Sequence, residues 1–70
     1  MNYYLCAKKN GTVRCGTSDQ LLINDLKTVR GIGNRYSVWI NNHKEAGKQV
    51  ELYTYTNVYD DSTFHLVKTF

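Results

Sequence analysis

The sequence predicts an α+β domain, a small antiparallel sheet with one helix packed on a face, in the order ββαβββ. Three observations lead there. Asn10-Gly11 separates two short runs of alternating residues, an apolar stripe at helical spacing opens behind a capping pattern at Thr17, and the second half is rich in β-branched and aromatic residues. Seventy residues with six tyrosines and no proline read as a single small domain, residues 1–70. A chain of this size buries only about 60% of the surface its unfolded form exposes, so it has little scaffold for a deep catalytic cleft.

The first element is a hairpin. Tyr3 to Lys9 and Thr12 to Gly16 flank Asn10-Gly11, the dipeptide that best accepts the two positive φ angles of a type I′ turn. Counting from that turn sets Lys9 against Thr12, Ala7 against Arg14 and Cys6 against Cys15. Period-two alternation then assigns Tyr4, Cys6, Val13 and Cys15 to a core-directed face, and Tyr3, Leu5, Ala7 and Arg14 to the outer one. The two cysteines stand close enough for a disulfide. No secretion signal is visible and cytosolic thiols stay reduced, so two buried thiols are the expectation and the bridge is left open. A C-x8-C pair with isolated His43 and His65 lacks the short-spaced ligand pairs of zinc sites, and no metal or cofactor is expected.

A helix is expected next. Thr17-Ser18-Asp19-Gln20 matches a capping box, Leu22, Leu26 and Val29 follow at i, i+4 and i+7, and Lys27 and Arg30 suit the negative end of the dipole. Gly31 reads as its left-handed cap, with Ile32 as the accompanying apolar contact. Tyr36-Ser37-Val38-Trp39-Ile40 reads as a strand, Val50 to Thr56 alternates as another, and a turn at Val58 to Ser62 leads to a last strand over Thr63 to Lys68. The expected core is Cys6, Val13, Leu22, Leu26, Val29, Val38, Ile40, Val50, Leu52, Phe64 and Leu66.

Composition excludes several classes. Hydrophobic residues make up 41% and charged residues 21%, too apolar for disorder. A mean hydropathy of -0.52 and apolar runs as short as Leu21-Leu22-Ile23 and Val38-Trp39-Ile40 are too polar for a membrane span or signal core, so a soluble cytoplasmic protein is expected, in the host-cell cytoplasm if phage-encoded. Nine Lys and Arg against six Asp and Glu leave a net charge of +3, a mild excess whose meaning depends on where the cations cluster. No Walker loop, HExxH, nucleophile elbow or paired apolar carboxylate occurs, so no enzyme activity is expected.

One motif stands out. Leu26-Lys27-Thr28-Val29-Arg30-Gly31-Ile32-Gly33-Asn34-Arg35-Tyr36-Ser37-Val38-Trp39-Ile40 resembles the helix-hairpin-helix motif of DNA-repair and recombination proteins, whose Gly-apolar-Gly hairpin offers backbone amides to a phosphate. The resemblance implies a hairpin at Gly31 and Gly33, charge from Lys27, Arg30 and Arg35, and DNA binding without sequence readout. It departs from the pattern in having Arg30 where proline is common and strand-favouring residues where the second helix belongs. The alternative from the residues alone is a capped helix leading into a strand, with Lys27 and Arg30 complementing its dipole.

The tyrosines form a second constellation. Tyr53 and Tyr55 share one face of their strand and Tyr3 lies on the outer face of the hairpin, which together suggest an exposed aromatic surface. Such surfaces suit protein interfaces, because a large rigid side chain is immobilised at small entropic cost, and they also stack on single-stranded bases. The chain resembles in general appearance the accessory and host-inhibitor proteins of bacteriophages and mobile elements. The expected function is therefore stoichiometric docking on a larger protein through the sheet face or hairpin. A nucleic-acid module using Lys27, Arg30, Gly31, Gly33 and Arg35 is the alternative. Exposed sheet edges also make a homodimer reasonable.

Overall fold

The sheet is organised around its first strand. In the computed structural model, which describes residues 2–9, 15 and 17–70, Tyr3–Lys8 (β1) pairs on one side with Gln20–Ile23 (β2) and on the other with Gln49–Thr54 (β3). His65–Thr69 (β4) pairs with the far side of β3, giving an antiparallel four-stranded sheet in the order β2-β1-β3-β4. Between β2 and β3 lie two helices, Val29–Arg35 (α1) and Ser37–Glu45 (α2), so the chain order is ββααββ. The α+β class and antiparallel sheet stand as expected; the single helix does not, and among the described residues the strand expected at Tyr36–Ile40 is absent.

The core lies between the helices and one face of the sheet. Tyr3, Leu5 and Ala7 of β1 alternate onto that face beside Ile23, Val50 and Leu52, and meet Ile32 of α1 and Ile40 of α2. Leu5, Ile23, Ile32, Val50 and Leu52 are completely enclosed, each worth about 1.5–3 kcal/mol relative to exposure. This inverts the expected sides of β1. Tyr3, assigned to the outer face, is only 4% exposed, with its hydroxyl donating to the Lys27 carbonyl at 3.3 Å. Alternation defines two faces but does not say which one the helices cover.

The remaining differences share one cause, that β1 needs a partner on each edge. The segment expected to start the helix at Ser18 instead makes a single 3-10 turn, Thr17–Asp19, and enters β2. Leu21-Leu22-Ile23 fills the open edge of β1, with Leu21 and Ile23 pointing under the helices and Leu22 turned away. Local capping and i, i+4 spacing lose to this pairing, because ladder bonds and burial together outweigh helix propensity. Cys6 accordingly faces Gln20 and Glu51, and the expected cross-strand pairing with Cys15 is replaced. The Asn10-Gly11 turn and the expected strand over Thr12 to Gly16, Val13 and Arg14 included, lie outside the described residues apart from Cys15. Cys15 nevertheless reaches Cys6, and the two form a disulfide with Cα atoms 5.7 Å apart in place of the expected thiols.

Helix formation shifts downstream. Thr28 is the N-cap of α1, its hydroxyl accepting from the Gly31 amide at 3.0 Å, so Gly31 sits in the first turn and is no C-cap. Gly33 follows inside the same helix, and no hairpin forms at the Gly-Ile-Gly run. At Tyr36 the chain bends with φ -105°, yet the amide of Tyr36 still donates to Ile32 O and that of Ile40 to Tyr36 O. The expected strand at Tyr36–Ile40 is thus the start of α2. Val29, Ile32, Tyr36, Trp39 and Ile40 recur at three- and four-residue steps and all pack on the core, which outweighs the β preference of the individual residues. A Schellman motif ends α2: Gly47 at φ +82° lets its amide reach Lys44 O and that of Lys48 reach His43 O.

Of the expected core, Cys6, Ile40, Val50 and Leu52 are buried and Leu26, Val29 and Phe64 partly so. Leu22, Val38 and Leu66 are 51%, 71% and 56% exposed, because each falls on the side of its element away from the helix–sheet seam.

Candidate functional site

The sheet face that the helices leave uncovered carries the molecule's aromatic cluster. The register sets Leu22, Tyr4, Tyr53 and Leu66 in one row across all four strands, with Gln20, Cys6 and Glu51 in the next. Beyond β3 the chain folds back over this face in a turn fixed by its own side chains. Asp60 accepts from the amide and hydroxyl of Ser62 at 3.0 and 2.7 Å, which lowers its pKa, and the Thr63 hydroxyl donates to Asn57 O at 2.8 Å. That turn delivers Phe64 onto the sheet, edge-on to Tyr4 with centroids 5.3 Å apart and stacked on Tyr55 at 5.1 Å. Tyr4 and Tyr53 lie 6.2 Å apart beneath it.

A groove of about 520 Å³ runs between this turn and Cys15. Tyr4, Cys6, Leu22 and Tyr53 form its floor, Phe64, Val58 and Asp61 one wall, and Cys15 and Gln20 the other. The Tyr4 hydroxyl donates to Gln20 Oε1 at 2.6 Å and lies 2.9 Å from Cys15 Sγ, which fixes the second wall against the floor. Next to the groove Glu51 is buried, with Lys8 Nζ at 2.9 Å and the Tyr53 hydroxyl donating to it at 2.9 Å. Burial, reinforced by the bond to Glu51, pushes the Tyr53 phenol up to about 12. Among the described residues that line the groove there is no cation.

The three tyrosines singled out by the sequence separate. Tyr53 lines the groove. Tyr55 shares its face but is buried under Phe64, with its hydroxyl donating to Asn24 at 3.4 Å. Tyr3 lies on the opposite, helix-covered face. Tyr4 and Phe64, which the sequence assigned to the core, are the residues that join Tyr53. The signal for Tyr4 was its place on the strand, two residues from Cys6 on the same face; the signal for Phe64 was the Asn57 to Thr63 turn.

The basic set lies on the other layer. Lys27 precedes α1, Arg30 is exposed on it, and Arg35 ends it, paired with Asp25 at 3.0 Å and lying 5.8 Å over the Tyr36 ring. Gly31 and Gly33 contribute their amides to the cap and helix and do not form a phosphate-binding turn. A further polar cluster ties the layers together: Asp19 accepts from Lys48 Nζ at 2.9 Å and lies 3.3 Å from His43 Nε2, while the His43 ring lies tilted against Trp39 with centroids 4.0 Å apart. The bond from Lys48 is the main cause of a lowered Asp19 pKa. Among the described residues, no group of three or more His, Cys, Asp or Glu stands where it could hold a metal ion, and no helix is long and apolar enough to cross a membrane.

Comparison with known protein families, curated proteins and solved structures finds no match. The geometry of the open face therefore carries the functional reading.

Proposed function

We propose that this protein is a small binding module that docks stoichiometrically on a larger protein through the open face of its sheet, in the manner of a phage-type accessory or inhibitor. The observation that supports this most is the groove itself, floored by Tyr4, Tyr53 and Leu22 and walled by Phe64 and Val58, apolar and aromatic surface left uncovered in a chain with few large apolar residues to spare. Leu22 and Val58 of the groove and Leu66 beside it remain exposed, and Tyr59 projects from the turn, 95% exposed. Rigid aromatic anchors framed by apolar neighbours are what an interface centre needs.

The alternative, phosphate contact through Lys27, Arg30 and Arg35, has less support. The three cations lie on the helical layer, Arg35 is already paired with Asp25, and the groove with Tyr4, Tyr53 and Phe64 lies on the opposite face of the sheet. The test compares three surface variants in capture from nuclease-treated lysate of the source cell. Leu22→Glu and Val58→Glu, in the groove, should abolish a stoichiometric complex, and Arg30→Ala, on the helical layer, should leave it intact. A complex lost with Arg30→Ala and kept with both groove variants refutes the proposal. So does steep, log-linear salt-dependent binding of a labelled oligonucleotide that Arg30→Ala weakens.

A further inference from the structure

We infer that the Cys6–Cys15 disulfide is a thiol-exchange site, with Cys15 the sulfur that is attacked, and that opening it loosens one wall of the groove. The inference rests on the docking role proposed above and adds its regulation. The bridge lies on the open face of the sheet, whereas Leu5, Ile23, Ile32, Val50 and Leu52 pack together under the helices on the other. It also repeats a connection that the ladder already makes. Cys6 stands opposite Gln20 in the pairing of β1 with β2, and Cys15 precedes Gln20 by 5 residues. A bridge that neither closes the core nor brings the two strands together has its effect where Cys15 sits, at the groove wall.

The two sulfurs differ in access. Cys6 is 5% exposed on its strand, and Cys15 is half-buried at the wall. Exchange begins with a thiolate on the sulfur it can reach, so Cys15 takes the attack. The thiolate of a dithiol reductant bonds to Cys15 Sγ, the S–S bond breaks, and Cys6 leaves as a thiolate that takes up a proton. The second thiolate of the reductant then attacks its own sulfur in the mixed disulfide and releases Cys15, which is protonated in turn. Two electrons pass to the protein, which ends with two thiols, and the dithiol ends as a disulfide. Cys15 is then left with hydrogen-bonding neighbours, the Tyr4 hydroxyl at 2.9 Å and Gln20 Oε1 at 3.9 Å, in place of a covalent tie. A wall no longer fixed before contact has to be ordered on contact, which weakens docking.

The test has three readings on the full chain. Brief exposure of the oxidised protein to glutathione, followed by acid quench, alkylation and peptide mapping, should find glutathione on Cys15 and the alkyl group on Cys6. Glutathione on Cys6 overturns the assignment of the attacked sulfur. Chemical shifts of the isotope-labelled chain, before and after dithiothreitol, should move at Tyr4, Gln20, Leu22 and Tyr53 and stay in place at Ile32, Ile40 and Leu52. Unmoved groove shifts overturn the inference, and so does an unfolded spectrum for the reduced chain or for the Cys6→Ser/Cys15→Ser chain. That double variant, used without reductant so that thiols of the partner are unaffected, should capture its partner about three- to tenfold more weakly than the oxidised chain, the cost of ordering one wall. Equal capture by the two overturns the regulation and leaves the docking role standing. The docking role fails separately, if Leu22→Glu captures as well as the unaltered chain.

Discussion

Leu5 and Leu22 carry the same side chain on neighbouring strands and differ in which face they occupy: Leu5 is 0% exposed and Leu22 51%. Leu5→Ala removes three carbons from the middle of the helix-covered face, a transfer loss of about 2.4 kcal/mol at about 0.8 kcal/mol per methylene. A cavity flanked by Leu52 and Leu21 adds about 1–2 kcal/mol, for a total of about 3–4 kcal/mol. Leu22→Ala takes away a side chain already half in water and leaves no enclosed cavity, so it should cost about 1 kcal/mol or less. A domain of this length is stable by about 4–10 kcal/mol, so the first change consumes a large share and the second little. Urea unfolding followed by far-ultraviolet circular dichroism measures both, with Leu5→Val as a milder variant expected to lose about 1 kcal/mol if the alanine variant does not fold. If Leu22→Ala costs as much as Leu5→Ala, the core lies on the Tyr4 face and the groove does not exist.

Three further outcomes are expected. Tyr53 has a phenol raised from 10.0 to about 12 in the folded chain, first by burial and then by the bond to Glu51, so its contribution to stability is intact below pH 10 and is lost as pH rises toward 12; Tyr53→Phe should lack that part of the alkaline decline, and parallel curves would deny both the burial and the bond. Asp19 is held below its ordinary 3.8, chiefly by Lys48, so its contribution is present above that value and lost as pH falls through the lowered one; Lys48→Met should flatten the acid limb of a denaturation series, and an unchanged limb would remove the clamp. Gly33→Ala places a methyl 3.7 Å from the Phe70 ring, an ordinary contact inside α1, and should raise stability by about 0.5–1 kcal/mol; a loss would indicate the hairpin geometry the structure excludes.

Three of the four described strands could be read from the chain, and β2 and the two helices could not, for identifiable reasons. Tyr3–Lys8, Gln49–Thr54 and His65–Thr69 carry alternation or β-branched density with no competing local pattern. Leu21-Leu22-Ile23 carries both a strand run and, with Leu26 and Val29, a helical stripe, and what decides between them is the vacant edge of β1, a fact of tertiary structure. The spacing of Val29, Ile32, Tyr36 and Ile40 was present in the sequence, but the Gly31-Ile32-Gly33 run masked it as a terminator; with Thr28 as the cap, both glycines are tolerated inside the helix. Tyr53 lines the groove on the face its strand's clean alternation gave it. Tyr4 was found on the wrong side, because the sign of a face depends on where the helices pack.

That sign also explains why the open face is the one left with which to act. α1 and α2 together cover one side of the four strands, and the chain has no further helix among the described residues to cover the other. Among the described residues, the turn from Asn57 to Phe64 and the tether from Cys15 to Cys6 cross the second face, and each contributes a rim. Aromatic residues placed there gain partial burial from one another, Phe64 on Tyr55 and Tyr4 beside Tyr53, which is enough to order them without enclosing them. Ordered but uncovered aromatic surface lowers the entropy cost of docking, since rotamers fixed before contact need not be fixed on contact. Substituting Phe64 by leucine should therefore weaken partner binding more than it weakens folding, and equal losses in both would mean that the ring serves the fold alone.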